Sequence, residues 1–111
     1  MSGGDWKDLY QGAIDGNLPL VKHYIKEGID PNFQHAEVLR TPLVASLLEG
    51  HVEVARYLLA NGADPSLVSE LDDMAPLQAA RRHGHQEIIR LLEGMGAKVP
   101  RKPFWWRWLP I

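Results

Sequence analysis

The feature that most constrains this chain is a motif that recurs at one constant interval. Gly50-His51 returns as Gly84-His85, and Pro42-Leu43 returns as Pro76-Leu77. A weaker copy begins at Gly16-Asn17, the same interval upstream of Gly50-His51. A fixed period of this size, the interval from Gly50 to Gly84, is typical of stacked supersecondary units that bury apolar surface against their neighbours. We therefore expect a stack of three units that presents a surface instead of a catalytic cleft.

The composition is ordinary for a folded domain and excludes several kinds of site. Apolar residues make up 45% and charged residues 23% of the 111 residues, both close to the average for globular proteins. No cysteine is present, which excludes disulfides and cysteine-based zinc or redox sites. No apolar run approaches the roughly 18 residues of a membrane span, and the first residues lack the pattern of a secretion signal. We therefore expect a cytoplasmic protein.

Charge is distributed unevenly along the chain, although the net charge is only −2. From Lys98 onward there are four basic residues and no acidic one, which leaves 8 basic and 14 acidic residues in the remainder. This pattern predicts an acidic body at 1–98 and a basic, aromatic C-terminal tail at 99–111. Because the body is acidic, we do not expect nucleic acid as a partner.

Each unit is predicted to contain two short helices. In the second unit, Thr41 is placed to cap a helix over 42–49, with proline at its first position. A second helix is predicted over 52–61, and Gly62 fits the left-handed conformation that ends a helix. Two further copies of this pattern are predicted over 7–28 and 75–96.

These motifs resemble the ankyrin repeat in order and spacing. The residues that carry the resemblance are Thr41-Pro42-Leu43, Gly50-His51, Tyr57-Leu58-Leu59 and Gly62-Ala63-Asp64. The resemblance covers roughly residues 5–98 and implies an all-α, ankyrin-like solenoid of three helix-turn-helix repeats. The expected repeats are 5–32, 33–66 and 67–98. Two hairpin-like loops are expected to protrude from the stack, at 30–40 and 64–74. One departure is Ala75, which occupies the capping position of Thr41 but has no side-chain oxygen.

Four apolar positions of the second unit become polar in the third. They are Val44, Leu47, Val52 and Leu59, which become Gln78, Arg81, Gln86 and Glu93. Within each helix the changed positions are three or seven residues apart, so they share a face. We expect this face to touch the next repeat in the second unit and to meet water in the third. The third unit is then a capping repeat, which predicts three repeats in all and a monomer.

The resemblance also implies a non-enzymatic protein that binds another protein through loop tips and the concave face of the first helices. Carried over by motif, the partner-binding residues are Phe33, His35, Glu37, Val38, Arg40, Leu48, Glu49, Leu71, Asp72, Asp73, Met74, Arg82 and His83. Exposed apolar side chains often mark contacts. The apolar members of this set could instead pack against neighbouring loops, and the sequence leaves both possibilities open.

Neither a metal site nor a catalytic site is expected. His51 and His85 occupy one position in successive units, where the resemblance implies a structural hydrogen bond, and zinc would need three or four converging ligands. The acidic group of Glu70, Asp72 and Asp73 falls on a loop tip, which offers none of the enclosure that general acid–base catalysis requires. We therefore expect no cofactor and no enzymatic activity.

The tail concentrates aromatic residues to an unusual degree, with four of them within five positions. The residues expected to make its contacts are Phe104, Trp105, Trp106, Arg107 and Trp108. They could fold back onto the last repeat, dock into a partner or lie at an anionic membrane surface. The alternatives to a binding module are therefore a peripheral membrane adaptor anchored by this tail and, by analogy of fold alone, an inhibitor or immunity-type protein.

Overall fold

The computed structural model of the chain describes residues 5–71 and 73–99, which form three helical hairpins. The six helices are α1 (Asp5–Asp15), α2 (Leu18–Lys26), α3 (Pro42–Leu48), α4 (Val52–Ala60), α5 (Pro76–His83) and α6 (Gln86–Gly94). The described residues contain no strand, only one antiparallel bridge between Ser69 and Met74. The predicted all-α repeat fold is confirmed.

The hairpins pack side by side in chain order. Helix α3 packs against α1 on one side and α5 on the other, while α2 packs against α4. The result is an elongated body with principal extents of 44 × 31 × 20 Å. One continuous apolar core runs through all three hairpins. Its largest fully buried aliphatic residues are Leu9, Val21, Leu43, Val44, Val54, Leu58, Ile88 and Leu92.

The helix starts follow the local sequence. The Thr41 hydroxyl accepts a hydrogen bond from the Val44 N–H at 3.1 Å, which satisfies one of the unpaired donors of the first turn. Ala75, at the equivalent position, has no side-chain acceptor. There the side-chain oxygen of Gln78 reaches back and accepts the Ala75 N–H at 2.8 Å. The predicted loss of an N-cap in the third hairpin is therefore confirmed.

The face that changes from apolar to polar also behaves as predicted. In the second hairpin, Val44, Leu47 and Leu59 are buried, and Val52 is half-buried. The polar residues that replace them in α5 and α6 are exposed, except for a half-buried Gln78. Position in the stack explains the difference, because α3 has a neighbouring first helix on both sides and α5 has one on a single side among the described residues.

Candidate functional site

The two loops between hairpins lie next to each other because side-chain amides join them. The first loop is residues 30–40 and the second is 64–74. The Asn32 amide donates to the Gly62 carbonyl oxygen at 2.9 Å, and its oxygen accepts the Asp64 N–H at 2.7 Å. Each polar atom of this amide thus has a backbone partner at the start of the second loop, which fixes the separation of the loops.

A second amide makes the same kind of bridge nearer the loop tips. The Gln34 amide donates to the Val68 carbonyl oxygen, and its oxygen accepts the Glu70 N–H, both at 3.0 Å. The Leu71 N–H donates to the Leu39 carbonyl oxygen at 2.7 Å. The loops therefore form one hydrogen-bonded surface, although they are separate in sequence.

The first loop carries a cluster of three rings, defined here as the aromatic cluster: Trp6, Phe33 and His35. Trp6 and His35 stack with centroids 3.9 Å apart and planes 7° apart. Phe33 meets both rings edge-on, with centroids 6.4 Å from Trp6 and 5.9 Å from His35. Phe33 remains 47% exposed, so the two stacked rings support a bulky apolar side chain that faces solvent.

The ring orientation of His35 is set by the loop backbone. Its Nδ1 accepts the Glu37 N–H at 3.1 Å, so the proton of the neutral ring lies on Nε2. The His35 carbonyl oxygen accepts the N–H groups of Val38 and Leu39 at 2.9 and 2.8 Å. The first loop is therefore a series of turns, and no cross-strand pair closes its described backbone.

The second loop does close as a small hairpin. Ser69 and Met74 exchange backbone hydrogen bonds of 2.8 and 3.2 Å, and Leu71 at its tip is 56% exposed. Leu39 and Asp73, which occupy equivalent positions of the two loops, both adopt left-handed backbone with φ of 57° and 51°. This conformation is uncommon for leucine and better tolerated by aspartate. The two loops thus share a left-handed residue at the same position, although the residue is leucine in one loop and aspartate in the other.

The residues predicted to bind a partner fall into three groups. Those exposed are Phe33, Glu37, Glu49, Leu71, Asp73, Arg82 and His83, and those half-buried are His35, Val38, Arg40, Leu48 and Met74. Those outside the described residues are Asp72, Phe104, Trp105, Trp106, Arg107 and Trp108. Of the two possibilities that the sequence left open, Leu48 and Met74 follow the second, since both pack against the core. Met74 is drawn inward by its pairing with Ser69, and only Phe33 and Leu71 remain as exposed apolar residues of the predicted surface.

Histidines provide structural hydrogen bonds between hairpins. The His51 Nε2–H donates to the Ile14 carbonyl oxygen at 2.9 Å. In the next hairpin, the Leu48 carbonyl oxygen accepts the equivalent hydrogen bond from the His83 ring. His85 was predicted to make a structural hydrogen bond at this position, but His83 makes it instead. His85 lies against His83 with ring centroids 6.0 Å apart. His83 thus helps to hold the stack together, in addition to lying on the predicted surface.

The stacking of Trp6 was not predicted, and the sequence carried only a weak signal for it. Trp6 lies one repeat interval before Arg40, so it occupies the position at which a loop meets the first helix of a repeat. Lys7, the next residue, pairs with Glu37 of the first loop at 3.4 Å, with both side chains mostly exposed. The start of α1 is therefore part of the first-loop surface.

Within 5–71 and 73–99, no three histidine or acidic side chains converge as metal ligands would. Tyr24, away from the loops, has a phenol pKa raised above its ordinary value. Its hydroxyl donates to Asp8 at 3.0 Å, and this hydrogen bond is the main cause of the raised pKa, with smaller effects of desolvation and of nearby acidic charge.

In the part of the chain that the structure describes, every helix is too short or too polar to cross a bilayer.

A family model described as ankyrin repeats (3 copies) matches residues 9–102. No curated protein gives a match to the chain. The family match agrees with the helical hairpins and with the expectation drawn from the sequence, and ankyrin repeats are generally protein–protein interaction modules.

Proposed function

Because the chain belongs to the ankyrin repeat family, we propose that it binds another protein through its loop tips and concave helix face, without catalysing a reaction. The surface comprises the exposed residues of the two loops together with Glu49 and Arg82 at the ends of α3 and α5. The family is typically non-enzymatic, and interaction with proteins is its general activity. The proposal adds which surface of this chain makes the contact.

The observation that carries the proposal is the exposure of Phe33 and Leu71 on adjacent loops. Fully burying one such side chain contributes about 1.5–3 kcal/mol. Two of them therefore supply a substantial part of the binding free energy of a typical protein complex. The Gln34 bridge holds the loops together before any partner arrives. A surface that is already ordered loses less conformational entropy on binding.

Charged residues at the edge of this surface are suited to orient a partner. Glu49 and Arg82, at the ends of neighbouring first helices, are exposed and of opposite sign. Rim charges of this kind affect association rate and selectivity more than affinity. We therefore assign the affinity to the apolar loop residues and the orientation to the charged helix ends.

Several further features belong to the same proposal. We propose repeats at 5–32, 33–66 and 67–98 and a separate tail at 99–111. The exposed polar face of α5 and α6 supports a monomer, and the absence of cysteine is compatible with a reducing, cytoplasmic location. The acidic body favours a protein partner over nucleic acid or an anionic membrane.

Site-specific photocrosslinking in cells tests which surface meets the partner. A photoreactive phenylalanine analogue replaces Phe33 in one variant and Leu91, an exposed apolar residue of α6, in the control. The proposal predicts a discrete crosslinked protein from position 33 and none from position 91. A product from position 91 alone, or no product from either position, would contradict it.

A further inference from the structure

The hydrogen bonds that join one loop to the next stretch of chain recur at the repeat interval, and the last of them lies at the end of the described residues. The Asp64 N–H donates to Asn32 Oδ1 at 2.7 Å, and the Lys98 N–H donates to Ser66 Oγ at 3.1 Å. The two donors are one repeat interval apart, and so are the two acceptors. At Lys98, therefore, the backbone meets the second loop in the way that Asp64 meets the first. The half-buried Val99 packs against the core, so the described residues end next to the second loop.

The second loop offers this following segment an acidic and partly apolar surface. Residues 64–74 contain four acidic residues and no lysine or arginine. Glu70 is exposed, and Leu71 has the largest exposed fraction of the bulky apolar residues described, at 56%. The first loop already occupies one side of this hairpin through Gln34.

The segment at 100–111 has the complementary chemistry. It holds Arg101, Lys102, Arg107 and four aromatic residues, and no acidic residue. Fully extended, twelve residues reach about 40 Å, which is ample for a loop that begins beside their first residue. A tether this short gives an effective concentration of the order of millimolar, which favours contact within one chain over contact between copies.

We propose that residues 100–111 bind the second loop of the same chain, with basic side chains facing Glu70 and aromatic side chains covering Leu71. The contact is an interaction surface for a basic, aromatic segment, and this chain supplies that segment itself. Leu71 also belongs to the proposed partner surface, so a partner that contacts Leu71 must displace the tail from it. The photocrosslinking at Phe33 involves the first loop, so the two proposals fail separately.

Paramagnetic relaxation in the full chain tests the contact directly. Because the chain has no cysteine, Leu109→Cys creates a single thiol for a nitroxide label, and Pro103→Cys provides a second labelling position. The expected result is a loss of amide signal intensity at Glu70 and Leu71, with the signals of α2 unchanged. Loss centred on Leu91 of α6, or no selective loss from either label, would overturn the proposal.

Two further samples separate the remaining explanations. In a mixture of spin-labelled chain with isotope-labelled chain that carries no spin label, we expect no loss at Leu71, and a loss there would show contact between copies instead. Glu70→Lys should reduce the loss within one chain, and adding Lys102→Glu should restore it. If Glu70→Lys leaves the loss at Leu71 unchanged, the charge pairing is wrong.

Discussion

The imidazole of His51 covers Gly16 of the preceding hairpin while its Nε2–H donates to the carbonyl oxygen of Ile14 at 2.9 Å. Gly16 has a φ of 71°, and a Cβ built there would lie 2.5 Å from the His51 ring. Glycine is therefore required here for two reasons: the backbone is left-handed, and a Cβ would collide with the His51 ring. The contact joins adjacent hairpins at the ends of their first helices.

We expect Gly16→Ala to destabilise the protein more than Gly84→Ala does. Gly84 has a similar φ of 67°, but a Cβ placed there would have no atom within 4 Å, so its substitution costs only the strain of left-handed alanine, about 1–2 kcal/mol. Gly16→Ala should add about 1–3 kcal/mol for displacing the ring. Urea denaturation measures both variants. Equal losses of unfolding free energy would show that the ring moves aside without cost.

Thr41→Ala should lower the free energy of unfolding by about 0.5–2 kcal/mol, because the Val44 N–H loses its only capping acceptor. Thr41→Ser is the control, since serine keeps the oxygen and is at least as good a cap as threonine. The measurement is the denaturation midpoint at constant slope. If the serine variant loses as much stability as the alanine variant, the methyl group and not the cap is responsible.

The phenol of Tyr24 should titrate above its ordinary range, because only the neutral hydroxyl donates to Asp8. The folded-state pKa is raised, so this stabilisation is complete below pH 10 and is lost as pH rises through the higher folded-state value. Tyrosinate absorbance measures the titration, and Tyr24→Phe identifies its signal. Asp8→Asn should lower the pKa of Tyr24. An unchanged titration in that variant would exclude Asp8 as the cause.

The repeat architecture could be predicted because it depends on a periodic signal. The helices expected over 42–49 and 52–61 are found at Pro42–Leu48 and Val52–Ala60. The polar face of the third hairpin was also predictable, because burial by a neighbouring repeat selects apolar residues at fixed positions. Both features follow from which residues repeat and which do not.

The loop surface was harder to predict because it depends on backbone conformations without a sequence signal. Leucine rarely adopts the left-handed conformation of Leu39, and the position of the first loop beside Trp6 could not be derived from composition. The inward turn of Met74 likewise depends on a backbone pair with Ser69. Residue types alone therefore identified the loops as a candidate surface but not which apolar side chains stay exposed.

The most direct measurement compares two double variants that each replace two exposed apolar side chains, at different locations. Phe33→Ser/Leu71→Ser changes the loops, and Leu91→Ser/Met95→Ser changes α6, where the side chains are 37% and 43% exposed. Both should melt near the temperature of the unchanged protein. The account predicts that the protein crosslinked at position 33 loses its affinity for the loop variant and keeps it for the α6 variant. Retained affinity in the loop variant, with loss in the α6 variant, would contradict the account.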